Sequence, residues 1–274
     1  MASNLAALVS EHPPIESPIR TFPGVVPLGL LAELKLAAKA SVSVVIPARN
    51  EGATIASIVG EIRSKLVDEV SLVDDIVVVD DGSSDDTARK ARDEGARLLE
   101  GPVLGKGEAM AVAVRELSLA RRGAEDLVVF LDGDVTNFGQ HFVSGLVAPL
   151  LAHGELEFVK ATYRRPLGPD PTGGGRVTEL VAKPALSLLL PELAGVTQPL
   201  AGECALRGSL LPSLCLEGGY GVEVAMLIDI YRTKGPRALA QVDLGVRQHR
   251  NRPLKELVPQ AREVLDAILI RTVS

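Results

Sequence analysis

The chain has 274 residues, 46% of them hydrophobic, which excludes a disordered protein and leaves room for a sizeable core. Its 29 Lys and Arg against 35 Asp and Glu give a net charge of −6, which argues against a general nucleic-acid binder. Aromatics make up 3% with no Trp, a poor basis for a lectin that stacks sugar rings.

The two cysteines, Cys204 and Cys215, cannot build a disulfide framework. No basic segment precedes the short apolar run at the start, and no apolar stretch reaches membrane-spanning length. A cytoplasmic protein with no membrane partner is expected. The first forty residues read as a Pro-rich arm (Pro13, Pro14, Pro18, Pro23, Pro27) and a helix over 28–40. "SVSVVIPARNE" then reads as a buried strand ending at Pro47, with a helix near 53–65. "DDIVVVDDGSSDDTARKARDEGARLL" reads as strand, acidic turn, capped helix, Gly95 as the stop, and another strand. "GKGEAMAVAVRELSLARRG" is a helix opened by glycines, and "DLVVFLDGD" is the next strand. Val/Ile-rich strands alternating with helices predict a parallel sheet covered on both faces. Farther on, "LEFVKATYRR" reads as a strand and "GGGRVTELVAKPALSLLL" as a glycine-started helix kinked at Pro184. "GVEVAMLIDIYRTKG" and "PLKELVPQAREVLDAILI" read as helices, with the strand "ALAQVDLGVRQH" between them.

Ligands of open α/β sheets gather at the carboxyl ends of the strands. Three such ends are polar here: "PARNE" at 47–51, "DDGSSDDT" at 80–87 and "DGD" at 132–134. One acidic strand end reads as a turn; three on one edge read as a site. No G-x-G-x-x-G follows the first strand, so the dinucleotide fingerprint is missing. "GPVLGKGE" also fails as a Walker loop, because Gly107 stands where Ser or Thr should hold Mg²⁺. Lys106 within it reads either as a phosphate ligand or as a solvated lysine. Carboxylates such as Asp132 and Asp134 beside a nucleotide suit Mg²⁺ or Mn²⁺, whose shell phosphate oxygens complete. Such a metal stabilises charge on a departing diphosphate. Arg164, Arg165, Arg176, Arg247, Arg250 and Arg252 concentrate in the second half, where a small anion would be met. Gly173 to Gly175 stand before a helix that begins with Arg176 and Thr178, exposing N–H groups and a guanidinium to an anion. The plain alternative for these glycines is a flexible loop and cap.

"VVIPARNE", "VVDDGSSDDT" and "FLDGD" together resemble the nucleotide-sugar half of a GT-A glycosyltransferase. "YRRP", "GGGRVTELVAKP", "QPLAGE", "GYGVEVAMLID" and "LGVRQHRNRPL" resemble, segment by segment, glucosyl-3-phosphoglycerate synthases and related mannosyl enzymes. The resemblance runs over about 41–254 and implies an α/β GT-A fold, a Rossmann-like mixed sheet flanked by helices. It implies an N-terminal arm and helix at 1–40, a nucleotide-sugar-binding subdomain at 41–135, and an acceptor-binding and C-terminal helical subdomain at 136–274, all within one continuous domain. Pro47, Ala48, Arg49 and Glu51 would line the base and ribose pocket, with Asp81 at the uracil edge. Lys106 would sit near the diphosphate or base, with Asp132 and Gly133 against the donor. Asp134 and His249 would hold Mg²⁺ or Mn²⁺; without the resemblance, His249 reads as a satisfied polar residue. Gly175, Arg176, Val177 and Thr178 would clamp the phosphate of 3-phosphoglycerate, with Tyr220 and Asn251 on the other side.

The family's reaction retains anomeric configuration. A carboxylate nucleophile would be Glu203 or Glu223. Front-face attack is preferred, with the departing diphosphate helping to deprotonate the acceptor and the Leu200 carbonyl stabilising positive charge at the anomeric carbon. The leading expectation is transfer from UDP-glucose, or another NDP-glucose, to the 2-hydroxyl of 3-phosphoglycerate. A homodimer is implied, with the apolar C-terminal helix contributing an interface. The alternatives are GDP-mannose as donor, a polyprenyl-phosphate acceptor, and a non-catalytic nucleotide-sugar-binding protein. The chain is shorter than the family between Leu98 and Gly105, between Pro166 and Gly173, and at the C-terminus. It also has Gly133 where relatives carry serine, and Arg49 in place of a leucine, which bears on base preference.

Overall fold

Valine and isoleucine fill β2 (Val42–Ala48) and β3 (Asp75–Asp80) because both faces of the sheet are covered. The computed structural model describes residues 19–119, 123, 125–167, 170, 173–248 and 253–273. Val42, Val44 and Ile46 point into a layer formed by α1 (Leu28–Ala38), α2 (Ile55–Ile62), α3 (Thr87–Asp93) and α5 (His141–Ala152). Val45, Val77 and Val79 point into the opposite layer, formed by α4 (Lys106–Leu119), α6 (Lys183–Leu189), α7 (Val222–Lys234) and α8 (Leu254–Thr272).

The remaining strands are β1 (Arg20–Pro23), β4 (Arg97–Glu100), β5 (Leu127–Phe130), β6 (Phe158–Arg164), β7 (Cys204–Arg207) and β8 (Leu239–Val246). All eight form one sheet in the order β1-β8-β6-β7-β5-β2-β3-β4. The expectation of a parallel sheet fails at β7, which runs antiparallel to both β5 and β6. The result is a mixed sheet, with helices on both faces. β1 lies inside the expected Pro-rich arm; as an edge strand it tolerates Pro23 opposite Asp243. Pro13, Pro14 and Pro18 lie outside the described residues. The helix expected over 53–65 runs as α2 and then a π turn at Arg63–Asp68. The kink expected at Pro184 takes the form of a π turn over Thr178–Ala182 ahead of α6, since proline has no N–H to return to the preceding turn.

This topology makes the site. β2, β3, β5, β6 and β8 run in parallel, so their carboxyl ends share one edge. The reversal of β7 brings its amino end to the same edge, with Cys204 opposite Phe130. No break in the sheet falls at the 135/136 boundary: β5 before it pairs with β7 after it, and β1 pairs with β8.

Candidate active site

A cleft of about 560 Å³ opens along this edge, a size that suits a small-molecule ligand. One wall carries Pro47, Ala48, Arg49 and Glu51 after β2, Asp81 after β3, and Asp132, Gly133 and Asp134 after β5. Lys106 enters it from the start of α4. The facing wall carries Gly175, Arg176, Val177, Thr178 and Tyr220, with Leu200 and Glu223 also lining the cleft. Every described residue expected from the sequence to bind donor, acceptor or metal therefore lines one space, as do Leu200 and Glu223; Glu203, the other candidate nucleophile, does not. His249 and Asn251 lie outside the described residues, as do Arg250 and Arg252.

Asp81 is nearly buried, and its carboxylate accepts the N–H groups of Val103 at 2.7 Å and Gly105 at 3.1 Å. It thereby ties the end of β3 to the short loop before α4. Arg49 Nη1 stands 3.9 Å from the same carboxylate and is half-exposed at the rim. Beside β5, the Thr54 hydroxyl donates to the Gly133 carbonyl at 2.5 Å and fixes the turn between the two aspartates.

The floor of the cleft is a buried network of charges. Lys106 bridges Asp132 and Glu223, its Nζ lying 2.5 Å from Glu223 Oε1. Arg247, just beyond β8, donates from Nε to Glu203 at 2.6 Å. From Nη2 it donates to Asp132 at 2.6 Å and Asp134 at 2.8 Å. The Tyr163 hydroxyl donates to the other oxygen of Glu203 at 2.7 Å, and Arg165 donates to that hydroxyl at 2.7 Å. Burial would raise the Asp132 carboxyl, but Lys106 and Arg247 outweigh it and hold the group well below the usual carboxylate range. Burial likewise opposes charge on Lys106, yet Asp132 and Glu223 keep its pKa well above the ordinary value. Tyr163 is pushed far up, first by burial, so its hydroxyl remains a donor. Gly202 leaves room for this pair: a Cβ there would collide with Asp132 Oδ1 and lie 2.5 Å from Lys106 Nζ, so both side chains would have to shift.

Glu203 does not suit the nucleophile's part. It is fully buried, both oxygens are engaged, and it does not line the cleft. Glu223 does line it, gripped by Lys106. On the facing wall, the Gly174 N–H donates to the Arg165 carbonyl at 2.9 Å, and Gly175 adopts φ +71°. That fold-back puts Arg165 beside Gly175 and brings two guanidinium groups, Arg165 and Arg176, to one wall. Such a pair fits a small multiply charged anion.

Asp134 is the more exposed of the two aspartates, at 31% of its side chain against 20% for Asp132. Its second oxygen has no partner among the described residues. A hard carboxylate oxygen at the cleft mouth fits Mg²⁺ or Mn²⁺. Among the described residues, no group of three or more His, Cys, Asp or Glu is placed to hold a metal. Small divalent ions take one or two carboxylates and complete their shell with phosphate oxygens, a ligand set that Asp134 at the cleft mouth suits. Sequence reading passed over Tyr163, Arg165 and Arg247 as site residues. The only signal was the run of arginines in the second half.

The family model of glycosyl transferase family 2 matches residues 43–195. A curated glucosyl-3-phosphoglycerate synthase of Mycobacterium tuberculosis (strain ATCC 25618 / H37Rv) is 48% identical over 252 residues, covering 86% of this chain and 75% of that protein. The solved structure of the Mycobacterium tuberculosis synthase in complex with Mn²⁺, UDP-glucose and phosphoglyceric acid matches with a TM-score of 0.80 and 44% identity, covering 93% of this chain and 87% of that one. The structure of the synthase from that organism with Mg²⁺ and UDP gives a TM-score of 0.82 and 43% identity, covering 95% and 88%.

Proposed function

The chain belongs to glycosyl transferase family 2, and within it to the glucosyl-3-phosphoglycerate synthases; from that membership we propose that it transfers glucose from UDP-glucose to the 2-hydroxyl of 3-phosphoglycerate, retaining anomeric configuration. One observation carries the reading: strand-end carboxylates and a glycine–arginine helix start face each other across a single cleft. Asp134, with His249, would hold Mg²⁺ or Mn²⁺, which when bound supplies Lewis-acid stabilisation of the departing diphosphate.

The chain's own residues do the rest. Pro47, Ala48, Arg49, Glu51 and Asp81 hold the base and ribose, and Asp132 and Gly133 the inner part of the donor. Lys106, kept charged by its two carboxylates, faces the diphosphate. Gly175, Arg176, Val177 and Thr178 take the acceptor phosphate, helped by Tyr220 and Asn251. In the transfer, the bond from the anomeric carbon to UDP breaks and the acceptor 2-oxygen bonds to the same face. The hydroxyl proton leaves with the diphosphate. The Leu200 carbonyl is assigned to the positive charge that develops on the anomeric carbon, and Glu223 to the sugar beside it. The burial of Glu203 speaks against it as a covalent nucleophile, and Glu223, which lines the cleft, is held by Lys106. The subdomains at 41–135 and 136–274 divide donor from acceptor work within one sheet.

Incubating the protein with 3-phosphoglycerate and UDP-glucose, GDP-glucose or GDP-mannose tests the reading, with products identified by mass and NMR. An α-glucosyl product from UDP-glucose is expected; a mannosyl product alone, or none, overturns it. A cytoplasmic homodimer belongs to the same proposal. It is supported by the exposed Leu265, Leu269 and Ile270 on α8 and by two unpaired thiols. Light scattering that gives a monomer mass removes the dimer.

A further inference from the structure

Lys160 sits in the middle of β6 with 1% of its surface exposed, on the sheet face opposite Tyr163. The strand register places it between Cys204 of β7 and Gln241 of β8. Among the described residues no carboxylate comes within ion-pair distance of it. Its Nζ donates to the Ala201 carbonyl at 2.8 Å and lies 5.7 Å from the Phe158 ring centroid. Burial lowers its pKa, as it does for an ammonium held out of water. An apolar side chain would pack here at less cost to the fold, so a lysine at this place asks for a task.

What it holds is the floor of the cleft. The Ala201 N–H closes a turn onto the Gln198 carbonyl at 3.0 Å. Site residues stand on either side of the Ala201 carbonyl. Leu200 lines the cleft, and Gly202 lies directly against Asp132 and Lys106. The next residue, Glu203, is pinned from the other sheet face by Arg247 and Tyr163. Residues 198–202 precede β7, so no ladder bond of that strand fixes them. The Gln198 amide donates to the Tyr163 carbonyl at 3.2 Å at one end of the segment, and Lys160 supplies the restraint next to Leu200 and Gly202.

We propose that Lys160 is a positioning residue for glucosyl transfer, its hydrogen bond to the Ala201 carbonyl fixing Leu200 and Gly202 against the Lys106–Asp132 pair. The inference rests on the glucosyltransferase reading and deepens it; Lys160 itself touches neither substrate.

Lys160→Met keeps the length of the side chain and removes the donor. Its kcat for glucosyl transfer should fall about 10- to 100-fold, the loss expected when a reacting group is misplaced. KM for both substrates, and Kd for UDP with Mn²⁺ by calorimetry, should move less than about threefold, the pattern of an interaction that matters only at the transition state. Phe158→Leu, on the same sheet face, controls for destabilisation: it should lower Tm and leave kcat within about twofold. Three results overturn the proposal: near-normal kcat in Lys160→Met, an equal kcat loss in Phe158→Leu, or a rise in UDP Kd in step with the kcat loss. If Lys160→Met fails to fold, Lys160→Leu takes its place, and unfolding of both leaves the lysine a role in stability alone and also overturns the proposal. The wild type is measured first. Absence of transfer there sinks the proposed function itself, whereas normal wild-type transfer with an unimpaired Lys160→Met sinks only the positioning role.

Discussion

Arg247 donates to Glu203, Asp132 and Asp134 at once, and it is 2% exposed, so its removal leaves buried Glu203 without its ion-pair partner and three neighbouring acids with Lys106, on Asp132, as the remaining paired cation among the described residues. Arg247→Met should lose about 3–5 kcal/mol in urea unfolding, the cost of breaking a buried pair from one side. A loss below about 1 kcal/mol, the range of a surface pair, would show the network to be solvated. On the facing wall, Arg176→Ala should raise KM for 3-phosphoglycerate by about 10- to 100-fold per lost charge-assisted bond. UDP affinity should stay unchanged, and an equal weakening of both substrates would reopen the acceptor. Burial pushes the Cys204 thiol up to about 12, whereas Cys215 is exposed. The thiolate is the reactive form, and a raised pKa removes it at pH 8. A disulfide reagent should therefore titrate one thiol in the native protein and two after denaturation. The aspartates and the glycine–arginine run were legible because each is contiguous in sequence. The Arg247 network was not, because its partners stand 44 and 115 positions away and only the sheet order brings them together.

Long periodic helices and valine-rich strands were readable, whereas β1, β7 and α5 were not. β1 and β7 have four residues each, too few for an alternation to register. In α5, buried residues run without a gap from Phe142 to Leu150, so no amphipathic period marks it as a helix, and Pro149 and Gly145 speak against one. Glycine decides how closely such elements approach. A Cβ at Gly107 on α4 would strike the Glu217 carbonyl, a backbone atom that cannot swing aside. Gly107→Ala should therefore push α4 away from the 217–218 segment and cost about 1–3 kcal/mol, as overpacking does. Because Lys106 precedes it, UDP affinity should fall too. Unchanged urea stability would mean that the segment yields freely.

One sheet runs through residues 41–135 and 136–274 alike, so the molecule should unfold in a single transition with calorimetric and van't Hoff enthalpies in agreement. A fragment of residues 41–135 should not fold alone, since β5 would lose β7 and expose an unpaired edge. Two resolved calorimetric transitions would contradict this. The mixed character of the sheet was implied by family resemblance, but the place of the reversal needed the pairing itself. That reversal sets what can change by descent. β4, β3, β2 and β5 form one parallel block, β6, β8 and β1 another, and β7 alone joins them. Loops of one block can lengthen, shorten or exchange residues without re-registering the ladders of the other. Under the proposed function, an acceptor pocket built on the segment after β6 can therefore change while the ladders that carry the donor residues keep their register.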